Sequence, residues 1–335
     1  MRFAILGAGA IGAYVGAALA RGGADVVLIA RGAHLEAMQQ NGVSVLSPRG
    51  DFHADVEATD ELEGVSGADV VFIGLKAHSL PDLAPRLGEL LEGDTAVIAA
   101  QNGIPWWYFQ SQPGPLEDLV LESVDPGGAI AAAIEPERVI GCVIYCSTEI
   151  VEPGVIRHIE GTRFAIGEPD GSVSQRCSAV SERFGAGGLK CPVEERLRDQ
   201  IWLKLIGNTA FNPVTALTSA TLGQLGEIEE MRRVLRATME ECAEVAARLG
   251  VTLPVSIDRR LEAGIAVGDH RTSMLQDFEA GKPLETGCLS GAVIELADRL
   301  DVAVPHTRTI HACVELLELV RGTRSAVAQR GDLLA

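Results

Sequence analysis

The sequence predicts an α/β fold: an N-terminal doubly wound, mostly parallel sheet, followed by a C-terminal all-α domain. Three observations predict it. Short apolar runs alternate with helical stretches over the first hundred residues, which is the pattern of βαβ units. Those runs are continuously apolar, as strands covered on both faces require. After Pro192 the texture becomes helical, with polar faces at helical spacing.

The elements follow in order. Residues 3–7 (Phe-Ala-Ile-Leu-Gly) form an apolar run that ends in glycine, and 11–22 is an Ala-rich helix stopped at Gly22-Gly23. Strands are predicted at 25–30, 69–75 and 95–100, with helices around 33–41 and 79–91 between them. From about 139 the segments 139–151, 154–159 and 163–167 are β-like, separated by Pro-Gly and Glu-Gly turns. They read as late strands extending the same sheet, with antiparallel pairing open. Helical periodicity covers 194–211, 224–249, 254–266, 285–299 and 305–320. The predicted domains are 1–190 and 191–335. The stretch 104–128 holds two of the three tryptophans and several Pro and Gly residues. It reads as a loop or lid near a strand end, where α/β proteins bind ligands.

The 335 residues are enough for two domains that each bury a core. Hydrophobic residues at 47% and charged residues at 22% are globular values and exclude a disordered or fibrous chain. Acidic residues outnumber basic ones 46 to 28, for a net charge of −18. That argues against a nucleic-acid partner or an anionic membrane surface, whose binders are basic. Mean hydropathy is +0.19, but no apolar run approaches the ~20 residues that span a bilayer. Seven scattered cysteines without CxxC pairs point to reduced, buried thiols, no metal site and a cytoplasmic setting. Cys142 and Cys146 flank an apolar run and read as strand residues. No signal peptide is expected at the N-terminus.

Gly7-Ala8-Gly9-Ala10-Ile11-Gly12 is GxGxxG between a strand and a helix. That context makes it a dinucleotide-binding turn of Rossmann type. Gly7 permits the tight turn, Gly9 lets the backbone approach a pyrophosphate, and Gly12 lets helix and strand pack closely. The helix N-terminus offers amides and positive potential to the anion. The second strand ends Ile29-Ala30-Arg31. Where NAD enzymes place a carboxylate for the ribose hydroxyls, Arg31 offers a guanidinium fork for a 2′-phosphate, so the expected cofactor is NADPH. Lys76 and Gln101-Asn102 lie in loops at two further strand ends and are candidates for the same crevice. His78 reads as a solvated loop residue.

Lys204, Asn208 and Asn212 recur at i, i+4 and i+8, on one face of a helix whose neighbours are apolar. Asparagine is a poor helix former, and buried polar groups need partners, so a substrate-lining stripe is preferred over a solvated face. A carbonyl reductase needs a proton donor, and a lysine with a pKa lowered by desolvation can serve.

GAGAIG with Arg31, Gln101-Asn102-Gly103, the W-x-K-L-x-x-N-x-x-x-N of residues 202–212, and Ser273-Met274-Leu275-Gln276-Asp277 followed by Glu285 resemble the ketopantoate reductase (2-dehydropantoate 2-reductase) family. The resemblance covers nearly the whole chain. It implies NADPH-dependent reduction of 2-dehydropantoate to (R)-pantoate, a step towards pantothenate and coenzyme A. It implies Lys204 as general acid, with Glu285 setting its orientation and pKa. Asn208 and Asn212 would hold the substrate's distal hydroxyl and Ser273 its carboxylate. Asn102 would stand between nicotinamide and substrate. The site would lie between the two domains and close on the substrate. His270 stands where the family often has asparagine, and Ser290-Gly291 where it often has Asn-Gly. His270, with Arg271, would add positive charge to the carboxylate pocket and could alter the substrate. A paralogous reductase of another 2-oxo acid and a non-catalytic NADP(H) sensor stay open as alternatives. So does a homodimer, since such helical domains often pair.

Overall fold

The computed structural model describes residues 1–332, with side chains through residue 322. The chain divides into two compact units, one of residues 1–197 and one from residue 198 onward.

The first unit runs β1 (Arg2–Leu6), α1 (Ala10–Arg21), β2 (Asp25–Ile29), α2 (Gly32–Asn41), β3 (Val43–Leu46), β4 (Phe52–Ala54), β5 (Glu57–Thr59), β6 (Val70–Ile73), α3 (Leu80–Leu90), β7 (Ala96–Ala99), α4 (Ala129–Ala133), β8 (Val139–Glu152), β9 (Val155–Gly167) and α5 (Gln175–Ala186). The strands form one sheet in the order β4-β3-β9-β8-β7-β6-β1-β2-β5. Strands β5, β2, β1, β6, β7 and β8 are parallel neighbours, β8 and β9 an antiparallel hairpin. The chain leaves β1 towards β2 and later returns to β6 on its other side. That reversal is the topological switch point where open α/β sheets bind ligands. Phe3, Ile5, Phe72 and Ile98 are fully buried in the core of this unit.

Four details depart from the sequence reading. Residues 155–167 are one strand, not two. Gly161, with φ +73°, sits at an irregularity of the β8–β9 ladder, where an added Cβ would lie 2.3 Å from the Tyr145 carbonyl oxygen. The Glu-Gly pair is thus absorbed as a bulge rather than a turn. The short strands β3, β4 and β5 and the polar helix α5 had no strong periodic signal. The first unit extends to 197 rather than 190, because residues 190–194 hydrogen-bond along β9. Phe164 N donates to Lys190 O (2.7 Å) and Glu194 N to Ile166 O (2.7 Å). Finally, Trp106, Trp107, Tyr108 and Phe109 are buried, and Trp107 packs on the backbone of Gly141 in β8. The start of the 104–128 segment is therefore packed into the first unit.

The second unit contains α6 (Leu197–Thr218), whose first residue closes the first unit, then α7 (Leu222–Leu225), α8 (Glu229–Arg248), α9 (Ile257–Ile265), α10 (Ser273–Glu279), a π-turn at Gly287–Gly291, α11 (Ala292–Arg299) and α12 (Pro305–Asp332). No described helix is long and apolar enough to cross a membrane. All seven cysteines are free. Five are buried, but Cys146 is only partly so and Cys313 is exposed, against the expectation of uniformly buried thiols.

Candidate active site

The glycine turn in the first unit is built from backbone. The Gly7 and Ala8 amides both donate to the Ile29 carbonyl, at 3.1 and 2.9 Å, which ties the end of β1 to the end of β2. Gly7 has φ +93°, a conformation that only glycine adopts cheaply. An added Cβ at Gly12 would lie 2.3 Å from the Gly7 oxygen, so helix and turn touch backbone to backbone. Gly9 differs: it is exposed, and an added Cβ would meet no described heavy atom within 4 Å. The first turn of α1 has no side-chain cap and no acidic residue. Its leading amides are therefore available to an anion.

Two neighbouring loops close on this turn. Gly74 N donates to Leu6 O (2.9 Å), and an added Cβ at Gly7 would collide with Leu75. The Gln101 side-chain amide donates to the Ile73 carbonyl at 3.2 Å. Lys76, Gln101 and Asn102, all partly buried, are thereby gathered with residues 7–12 at the carboxyl edge of β1, β6 and β7. Arg31 immediately precedes α2, just beyond β2, with an exposed side chain and no capping bond. Asp25 stands at the opposite end of that strand. His78 is exposed.

His34 escaped the sequence reading. It lies in the first turn of α2, and its Nδ1 accepts the Gly154 amide at 3.0 Å. The neutral ring then carries its proton on Nε2, which is buried. Burial lowers the His34 pKa, and a hydrogen bond to the Ala8 backbone only partly opposes this. The His34 ring thus stands beside the glycine turn, against the Ala8 backbone. No spacing rule flags a histidine there.

In the second unit α6 presents Lys204 and Asn208, partly buried, and Asn212, buried. Helix α9 packs closely on it. The Arg260 guanidinium lies where a side chain at Gly207 would be, and its Nε donates to the Leu203 carbonyl at 3.3 Å. Gly264 makes room for Phe211. Arg260 is a cation beside the Lys204 turn that the sequence reading missed; a glycine inside an otherwise good helix was its signal.

Helix α10 is pinned to the same stretch by a hydroxyl chain. Thr215 donates to the Asn212 carbonyl (2.8 Å), and its oxygen meets the Thr272 hydroxyl at 2.6 Å. Thr272 caps α10 by accepting the Leu275 amide, which leaves Ser273 exposed at the first helical position. Asn212 and Ser273 are therefore neighbours through two threonines. His270 is partly buried, and its carbonyl accepts the Leu222 amide (3.0 Å). Arg271 forms an ion pair with Glu279, so its charge is already countered rather than added to a pocket. Glu285 is buried just ahead of the π-turn. Ser290, within that turn, is buried and bonded to His311 at 2.8 Å.

Comparison with known proteins agrees with this layout. The family model described as "Ketopantoate reductase PanE/ApbA" matches residues 3–171, and its C-terminal counterpart matches 196–318. A 2-dehydropantoate 2-reductase of Mesorhizobium japonicum is 44% identical over 97% of this chain and 100% of its own length. A PanE/ApbA family ketopantoate reductase from Ralstonia eutropha superposes with a TM-score of 0.83 at 29% identity, covering 96% of this chain and 100% of that one. The 2-dehydropantoate 2-reductase of Geobacter metallireducens gives 0.82 at 28% identity, with 95% and 100% covered. The nucleotide-type turn, the polar face of α6 and these likenesses along nearly the full length place the chain in the ketopantoate reductase family of oxidoreductases.

Proposed function

We propose that this protein reduces 2-dehydropantoate to (R)-pantoate with NADPH, in the cytoplasmic route to pantothenate and coenzyme A. The observation that carries the reading is the Lys204–Asn208–Asn212 face of α6, with Ser273 pinned beside it through Thr215 and Thr272. NADPH fits the residues of the first unit. The space above Gly9 and the uncapped start of α1 suit a pyrophosphate. Arg31 suits a 2′-phosphate.

When bound, NADPH supplies the hydride that adds to C2 of the keto acid. Lys204 Nζ gives its proton to the C2 oxygen as negative charge develops there, which is general-acid catalysis. Glu285 orients that ammonium and adjusts its proton affinity. Asn208 and Asn212 hold the distal hydroxyl, and Ser273 with the start of α10 holds the carboxylate. His270 lies three residues before Ser273 and reaches the same end of the substrate. Lys76, Gln101 and Asn102 line the cofactor side.

The test is NADPH oxidation with ketopantoate beside a panel of other 2-oxo acids, with NADH as control. Efficient turnover of ketopantoate is expected. Lys204→Ala should lower kcat by about 10²- to 10⁴-fold while NADPH still binds. Full activity in that variant would overturn the assignment of Lys204. His270, in place of the asparagine common in the family, favours a second reading: a reductase of a different 2-oxo acid with the same lysine chemistry. Turnover of another panel member, but not of ketopantoate, would select it.

A further inference from the structure

Residues 280–286, which carry Glu285, form neither helix nor strand. The π-turn that follows is wider than an α-turn, and such turns are rare and recur at functional sites. A buried carboxylate in such a stretch needs an external scaffold to hold its place. One face of α12 supplies three attachments. Glu318 Oε1 accepts the Leu284 amide at 2.9 Å, on one side of Glu285. On the other side His311 Nδ1 meets Ser290 Oγ at 2.8 Å. Arg321 donates to the Lys282 carbonyl at 2.7 Å and to the Phe278 carbonyl at 3.3 Å.

Residues 311, 318 and 321 lie seven and three apart, so they share a face of the helix. The fully buried Val314 lies on that face between them. The imidazole is itself oriented: Nε2 stands 3.4 Å from Glu315 Oε1. A proton on Nε2 leaves Nδ1 to accept the Ser290 hydroxyl. The second possible acceptor of that hydroxyl, the Thr286 carbonyl, is farther away at 3.5 Å. Ser290 is one of the two departures from the family pattern, and His311 reaches across to bond this shorter side chain.

We propose that Glu318 and His311 are positioning residues for the reaction: by gripping the chain at 284 and 290, α12 fixes where the Glu285 carboxylate stands. The inference rests on the reading of Glu285 as the partner of Lys204. Misplacing a reacting-site group by about 1 Å costs on the order of 100-fold in rate.

The experiment is steady-state kinetics of the full chain carrying Glu318→Ala, Glu318→Gln, His311→Phe, Ser290→Ala, Glu285→Gln or Glu241→Ala. Glu318→Ala and His311→Phe should lower kcat by about 10- to 100-fold, with the KM for NADPH unchanged. Their pH profile of kcat should move towards that of Glu285→Gln. Glu318→Gln keeps an oxygen for the Leu284 amide and should restore most of the rate. Glu241→Ala loosens the opposite end of α12, so it should lower the Tm and leave kcat and its pH profile intact. If Glu318→Ala does not fold, His311→Phe and Ser290→Ala, which both break the bond to residue 290, carry the same comparison. Wild-type kcat and pH profile in both Glu318→Ala and His311→Phe would overturn the proposal. An equal loss of kcat in Glu241→Ala would also do so, by making the effect one of general stability. A Glu285→Gln enzyme of full activity would instead overturn the reading of the site on which the proposal rests.

Discussion

Two glycines of one motif carry separate demands, and they can be told apart by substitution. At Gly12 a methyl group would strike backbone 2.3 Å away. Gly12→Ala should therefore cost about 1–3 kcal/mol of stability, seen as a lower Tm. At Gly9 the backbone is extended and the space is open, so Gly9→Ala should fold with a wild-type Tm. Its loss should appear only in NADPH affinity, measured by fluorescence titration. Arg31 is argued by charge rather than space. Arg31→Ala should raise the NADPH Kd by about 10- to 100-fold, the worth of a charged hydrogen bond, and leave NADH binding unchanged. Equal loss for both cofactors would remove the 2′-phosphate assignment. The motif glycines, Arg31 and the lysine–asparagine stripe could be read from the chain because each obeys a local spacing rule. His34, Arg260 and His311 could not. His34 and Arg260 owe their placement to partners more than fifty residues away, Gly154 and Leu203, and His311 owes its own to Ser290, twenty-one residues away.

Among the elements, α12 owes its start to another helix. Glu241 of α8 accepts the His306 and Thr307 amides, both at 2.9 Å, and the Thr307 hydroxyl at 2.8 Å. Burial pushes its carboxyl up, but these hydrogen bonds outweigh it and hold the pKa below the usual carboxylate range. A depressed carboxylate contributes stability that is present above the unfolded value and lost as pH falls through the folded one. Glu241→Ala should destabilise the protein by about 1–2 kcal/mol near neutrality, as loss of a helix cap does. Urea midpoints should show the gap to wild type closing as the pH drops below about 4. A gap independent of pH would show that the charge plays no part. Long apolar-periodic elements such as α1, β6 and α8 were visible in the sequence. The three- and four-residue strands β3 to β5 were not, because pairing rather than pattern makes them strands. The Glu160-Gly161 pair shows the same limit: a turn dipeptide becomes a bulge when the strands on both sides share one partner.

For the molecule as a whole, a net charge of −18 means self-repulsion in the folded state. Raising the ionic strength from low to moderate should increase the Tm, because the Debye length shrinks from about 30 Å at 0.01 M to about 10 Å at 0.1 M. A Tm that falls over that range would mean that the many surface ion pairs outweigh the net repulsion. The same excess of acid makes the positive groups Arg31, Lys76 and Lys204 stand out as places for anionic ligands. The sequence by itself determined the parallel α/β sheet and the helical part after it, the glycine turn and the polar face of α6. These depend on contacts between near neighbours in the chain, whose periodicity is written directly in residue order. The tertiary structure alone decided that the sheet unit runs to residue 197, that the aromatic run 106–109 is buried, and that α12 grips the chain around Glu285. These depend on hydrogen bonds and packing between segments far apart in sequence, and no local pattern encodes which distant partner a side chain meets.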